Sequence, residues 1–141
     1  MTQGILWHRN PLARPVVVVV SESRSLLERV NSLVDRLGGR GATLPKAFYD
    51  RAFARVLLAA GPGRRPVGAV IDMQAGLPHP AQLAEQLSKS GVPALLVVPA
   101  AREDVVRRAT LGGTIIGVLT HGDGVGEELE DRVRRMLVAQ R

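Results

Sequence analysis

The sequence predicts an α/β fold: a five-stranded parallel, doubly wound sheet with helices on both faces, in three α/β/α layers. Two observations predict it. Apolar runs of strand length alternate with amphipathic helical stretches along the chain. The runs are continuous rather than alternating, as in Val16-Val17-Val18-Val19-Val20, which is what a strand buried on both faces requires. Short helix-to-strand connections then favour parallel strands with right-handed crossovers.

The elements follow in order. Residues 1–14 carry no periodicity and are expected to form a flexible N-terminal arm, ahead of one domain at 15–141. The first strand is 16–20. Ser23 or Ser25 caps a helix to about Leu37, with Leu26, Val30, Leu33, Val34 and Leu37 at helical spacing and Gly38-Gly39 as the stop. A short second strand is expected at 42–44, at an edge or irregular because Pro45 follows. The second helix is 49–60, with Phe53, Val56 and Leu57 inward. The third strand is 67–71. Pro80 or Ala81 starts a third helix through Leu83 and Leu87 to Ser90. The fourth strand is 94–98, and the fourth helix about 102–111, ended by Gly112-Gly113. The fifth strand is 114–119, and the fifth helix runs from about 126 or 127 to 139. Its acids Glu127 and Glu128 come first and its bases Arg134 and Arg135 last, as the helix dipole favours.

Composition narrows the function classes. The chain has 141 residues, enough for one domain with a proper core. Hydrophobic residues make up 45% and aromatic residues 3%, so the core must be aliphatic. With no cysteine, disulfides and thiolate metal sites are excluded, and a reducing, cytoplasmic setting is expected. No apolar run is long enough to span a membrane, and the first nine residues form no signal-peptide core. The net charge is +6, nearly all from Arg; only Lys46 and Lys89 are lysines. The arginines are scattered, and aromatics for base stacking are few, so direct nucleic-acid binding is not expected. Scatter of this kind fits an Arg-for-Lys compositional bias.

Asp72 ends the third strand, and strand C-terminal ends are where open α/β sheets bind ligands. A phosphoacceptor and a polar strand end that caps its loop are the two readings of it. Ser21 and Glu22 follow the first strand. Glu22 and Asp72 alone make a poor Mg²⁺ site, though one or two carboxylates plus waters can hold that ion. His8, His79 and His121 are too dispersed for a metal cluster, and no metal site is expected. Gly122-Asp123-Gly124-Val125-Gly126 lacks the spacing and the Lys-Ser/Thr of a phosphate loop. Gly61-Pro62-Gly63-Arg64-Arg65 lies between a helix and a strand, opposite the ligand crevice, and reads as a solvated turn. Ser21, His121 and Asp72 have a triad's residue types without a nucleophile elbow, so no enzyme activity is expected.

These strand ends resemble the receiver domain of bacterial response regulators, a flavodoxin-like fold, over roughly residues 15–139. The resemblance rests on Val19-Val20-Ser21-Glu22-Ser23-Arg24-Ser25-Leu26-Leu27, on Ala69-Val70-Ile71-Asp72, and on Gly91-Val92-Pro93-Ala94-Leu95-Leu96-Val97-Val98. It is strongest from Leu111-Gly112-Gly113 through Gly117-Val118-Leu119-Thr120-His121 to the helix containing Glu127-Glu128-Leu129-Glu130-Asp131-Arg132-Val133. The resemblance implies Asp72 as candidate phosphoacceptor. It also exposes departures. Receivers place two acids after strand one, Ser or Thr after strand four and Lys after strand five. Here Ser21 with Glu22, Pro99 and His121 stand there, a degraded acidic pocket.

Phosphoryl transfer needs metal and cation to neutralise charge, so an atypical (pseudo-)receiver is expected, working in signal transduction or transcriptional regulation without Mg²⁺-dependent phosphorylation. The resemblance implies contact with a protein partner or homodimerisation through the face carrying Val105, Val106, Arg107, Arg108, Glu130, Asp131, Arg134 and Arg135. Two alternatives stay open: a working phosphoacceptor domain using Asp72, with Mg²⁺ as cofactor only if Glu22 and Asp72 form a site; and the N-terminal sensory or localisation domain of a larger regulator or ATPase. The partners that the resemblance implies include a fused or separate DNA-binding output domain.

Overall fold

The computed structural model describes residues 14–98, 117–120 and 125–138. Within them the chain forms β1 (Val16–Val20), α1 (Arg24–Arg36), β2 (Arg40–Thr43), a 3-10 turn (Lys46–Arg51), α2 (Ala52–Leu58), β3 (Gly68–Asp72), α3 (Pro80–Lys89), β4 (Ala94–Val98), β5 (Gly117–Thr120) and α4 (Val125–Val138). The last, α4, is the expected fifth helix. The expected arm up to residue 13 and the expected fourth helix at 102–111 lie outside the described residues.

The strands make one five-stranded sheet in the order β2-β1-β3-β4-β5. Every neighbouring pair is parallel, with Val17 opposite Gly68, Val70 opposite Leu95 and Leu96 opposite Val118. All of β1, β3 and β4 is buried. Their continuous apolar runs serve both faces. Val16, Val18 and Val20 pack with Val56 of α2 and with Leu83 and Leu87 of α3. Val17 and Val19 pack with Leu26, Val30, Leu33 and Val34 of α1 and with Leu129, Val133 and Met136 of α4. The sheet is therefore the middle of three layers. Burying each Val or Leu side chain contributes about 1.5–3 kcal/mol before chain entropy is charged.

The helix ends follow the sequence chemistry. Ser23 caps α1 through its hydroxyl, which accepts the Leu26 amide at 3.3 Å. At the other end the Gly39 amide reaches the Val34 carbonyl (2.8 Å) and the Gly38 amide that of Asp35 (3.1 Å), a Schellman closure. The expected stripe is buried on α1 except Leu37, which is half-buried.

Several boundaries differ from expectation: β3 is Gly68–Asp72 rather than 67–71, and α2 ends at Leu58 rather than 60. β2 is Arg40–Thr43 rather than 42–44, and it is the sheet edge that Pro45 implied. The second helix does not start at Tyr49. A 3-10 turn from Lys46 comes first, and Arg51 (φ −132°, ψ 39°) breaks it from α2. Helical periodicity alone does not separate the two, because Tyr49, Ala52 and Val56 are all buried across the break.

One glycine fixes how α4 sits. A Cβ at Gly68 would overlap the side chain of Met136, meeting its Sδ first. The helix packs directly on the backbone at the start of β3, and a side chain there would require Met136 to shift or shorten.

Candidate functional site

The strand order sets the place. From β1 the chain crosses to β2 on one side, and β3 lies on the other. Connections diverge at that point and leave a crevice at the C-terminal ends of β1 and β3. Ser21 and Glu22 follow β1 there, and Asp72 ends β3.

Asp72 is only 2% exposed and Ser21 only 4%, so neither carboxylate nor hydroxyl is left to bulk water. The Ser21 hydroxyl donates to Asp72 Oδ2 at 2.7 Å. Ser21 Oγ itself accepts the Ser23 amide at 3.0 Å, which turns the chain into α1. Asp72 Oδ1 accepts the Gln74 amide at 3.0 Å, and the Asp72 carbonyl accepts that of Ala75 at 3.1 Å. A buried carboxylate needs such donors, because an unsatisfied one costs several kcal/mol.

Glu22 is exposed yet held. Its Oε2 accepts the Gly76 amide from the loop after β3, and its Oε1 lies 3.1 Å from Lys46 Nζ in the turn after β2. The Gly76 amide first, and Lys46 second, hold the Glu22 carboxyl below its ordinary range. A Cβ at position 76 would stand 2.9 Å from Glu22 Oε2, so a larger residue there would displace the carboxylate. Tyr49 is buried beside the acids. Burial, then the charges of Glu22 and Asp72, push its phenol up and keep it protonated. The same loop reaches α3 through His79, which has φ 50° ahead of Pro80.

Of the residues singled out in the sequence, the structure brings Ser21, Glu22 and Asp72 together. Pro99 and His121 lie outside the described residues. Lys46, Tyr49 and Gly76 are additions that no motif or spacing flags. The available signal for Lys46 is its rarity among the bases and its place just after an edge strand.

Among the described residues the acids of this donor set already have partners within the chain. Both Glu22 oxygens already have partners, one of them a resident ammonium. Asp72 binds a hydroxyl where a second acid would be needed. Among the described residues no group of three His, Cys, Asp or Glu could hold a metal ion. Beside the crevice a groove of about 380 Å³ runs between α2 and α3, lined by Tyr49, Phe53, Leu77, His79, Leu83 and Gln86.

On the expected interaction face, the described charges pair within the chain. Glu130 meets Arg36 of α1 and lies 3.9 Å from Arg134, and Asp131 lies 3.1 Å from Arg135. Val105, Val106, Arg107 and Arg108 lie outside the described residues. No helix among those described is long and apolar enough to cross a membrane.

The sequence matches no protein-family model and no curated protein sequence. Solved structures do match. A response regulator receiver protein from Burkholderia phymatum superposes with a TM-score of 0.67 at 21% identity, over 89% of this chain and 96% of that one. The signal receiver domain of an HD domain-containing protein from Pseudomonas fluorescens gives 0.65 at 20%, over 90% and 89%. A protein from Burkholderia pseudomallei, described as pilus assembly-related, gives 0.62 at 23%, over 89% and 90%. At these identities the likeness is one of architecture: the chain has the fold of response-regulator receiver domains.

Proposed function

We propose that this chain is an atypical receiver module, a pseudo-receiver, that acts in signalling by protein–protein contact and without Mg²⁺-dependent phosphorylation. One observation carries this reading. The Asp72 carboxylate is bound by the Ser21 hydroxyl where receivers carry an acid, and the neighbouring acid Glu22 is bound by Lys46 and Gly76. Lys46 offsets the charge of Glu22, and neutral donors satisfy Asp72, so the chain itself occupies the acids. Phosphoryl transfer would need the carboxylates free for a metal and a cation free for the incoming anion. Such a module has no catalytic residue of its own. It contributes a folded surface, in a homodimer or beside a partner or output domain.

The test is a ¹⁵N–¹H NMR titration with Mg²⁺ followed by beryllofluoride. No saturable shift around Asp72 is expected. Shifts that saturate there and spread to β5 would mean that Asp72 is a working phosphoacceptor, and the reading would fall.

A further inference from the structure

Five arginines that are scattered in sequence, Arg14, Arg36, Arg40, Arg64 and Arg65, come together at the end of the sheet opposite the acid crevice. Arg14 leads into β1 and Arg40 opens β2 beside it, with Val16 paired to Arg40 and the Arg40 amide bonded to the Pro15 carbonyl. Arg64 and Arg65 precede β3, whose approach is fixed by the Val67 amide on the Val16 carbonyl. Arg36 ends α1 and Lys89 ends α3 at the same level. The acids near them are Asp35, at 3.6 Å from Arg14, and Glu85 and Glu130 one turn or more up their helices, paired with Lys89 and Arg36.

Part of this basic rim serves the fold. Arg65 donates to the Ser90 carbonyl at the end of α3, and Arg64 to the Arg14 carbonyl at 2.9 Å. Helix C-termini bring about half a negative charge each, which offsets part of the rim and leaves it positive. Nε of Arg14 and Nε of Arg40 are buried and without a hydrogen-bond partner among the described residues. A buried N–H donor with no acceptor costs about 1–3 kcal/mol, an internal cost separate from the rim's exposed charge. In the sequence, Arg9 also precedes β1, and no acid comes before Glu22.

We propose that this rim is a docking surface for an acidic segment of a partner protein, read by arginine–carboxylate forks. The guanidinium fork matches a carboxylate with two parallel donors, and the rim's own acceptors, Asp35 and Glu130, are already carboxylates. The starts of β2, β1 and β3 stand about 4.8 Å apart, and an extended peptide presents every second side chain about 6.8 Å apart, within reach of long arginine side chains. Single-stranded nucleic acid would want aromatic platforms; the buried Tyr49 and half-buried Phe48 and Phe53 lie at or beyond the other end of β2. This surface goes beyond the function proposed above and holds whether or not Asp72 is phosphorylated.

Fluorescence anisotropy of a labelled oligoglutamate peptide tests it, with duplex DNA and phosphatidylserine vesicles as comparators at matched charge and physiological salt. Saturable binding to the peptide is expected, weakening as salt rises. Arg65→Gln and Arg36→Gln should each weaken it about two- to five-fold. Arg65→Lys keeps the charge without the fork and should restore only part of the loss. Both side chains are exposed, so the loss of their contacts with Ser90 and Glu130 should shift thermal melts only slightly. Ser21→Ala and Glu22→Gln, at the opposite end, should leave the peptide affinity as it is. The proposal is overturned if the peptide does not bind, if the rim variants bind it like the parent, or if DNA or vesicles bind more tightly than the peptide.

Discussion

The C-terminal and N-terminal ends of β1 and β3 solve the same electrostatic problem differently. At the C-terminal end, Asp72 is held by Ser21 and Gln74, and Glu22 by Gly76 and Lys46. Donors and acceptors there come from separate connections of the chain and close on one another. At the N-terminal end, arginines exceed the acids beside them, and two of their nitrogens are buried without acceptors among the described residues. A closed network holds a shape, and an open one invites a partner. Among the described residues, the end where the fold usually carries its chemistry has its acids paired, and the opposite end has arginines in excess.

Four substitutions break or sharpen this contrast. Gly68→Val, at the start of β3, puts side-chain atoms into Met136 and should destabilise by about 3 kcal/mol in urea denaturation. A loss well under about 1 kcal/mol would mean that α4 moves freely on the sheet. At the sealed end, Ser21→Ala takes a hydroxyl from a buried carboxylate and should cost about 2 kcal/mol at neutral pH. If stability stays level, the Ser21–Asp72 bond is not what seals the crevice.

Opening that end should create affinity. Ser21→Asp with Lys46→Gln supplies the missing acid and removes the resident cation, and Mg²⁺ should then bind at least about ten-fold more tightly than to the parent chain, ~1.4 kcal/mol. Equal affinities in calorimetry would show that charge is not what excludes the ion. The smallest effect is a titration. Glu22 titrates below its ordinary range in the folded chain, so its contribution to stability is present above the ordinary carboxyl pKa and is lost as pH falls through the lowered value. Lys46→Gln should move the Glu22 carboxyl upward and narrow that window, as read by ¹³C NMR of the side chain. The Gly76 amide should keep it from returning fully.

The sheet was largely legible because its signals are local. Five consecutive valines in β1 and the run at β4 admit few alternatives to a strand buried on both faces. Ser21, Glu22 and Asp72 were legible for the same reason, as residues at strand ends. What escaped was the closure between them. Gly76 and Glu22 are 54 residues apart, and Lys46 comes from a turn whose 3-10 geometry helical spacing does not reveal. The arginine rim escaped most completely. Its members sit in different connections, and only the parallel register of β2, β1 and β3 places their starts side by side.

The contact of Gly68 with Met136 has a consequence for how this sequence can change. The methionine sulfur occupies the volume that a side chain at position 68 would claim, so the two positions share one space. A larger residue at 68 requires a shorter one at 136, and neither change alone measures its own worth. Gly68→Ala combined with Met136→Ala should therefore cost less than the sum of the two single substitutions. In this chain the seating of the last helix is a property of a residue pair rather than of either residue.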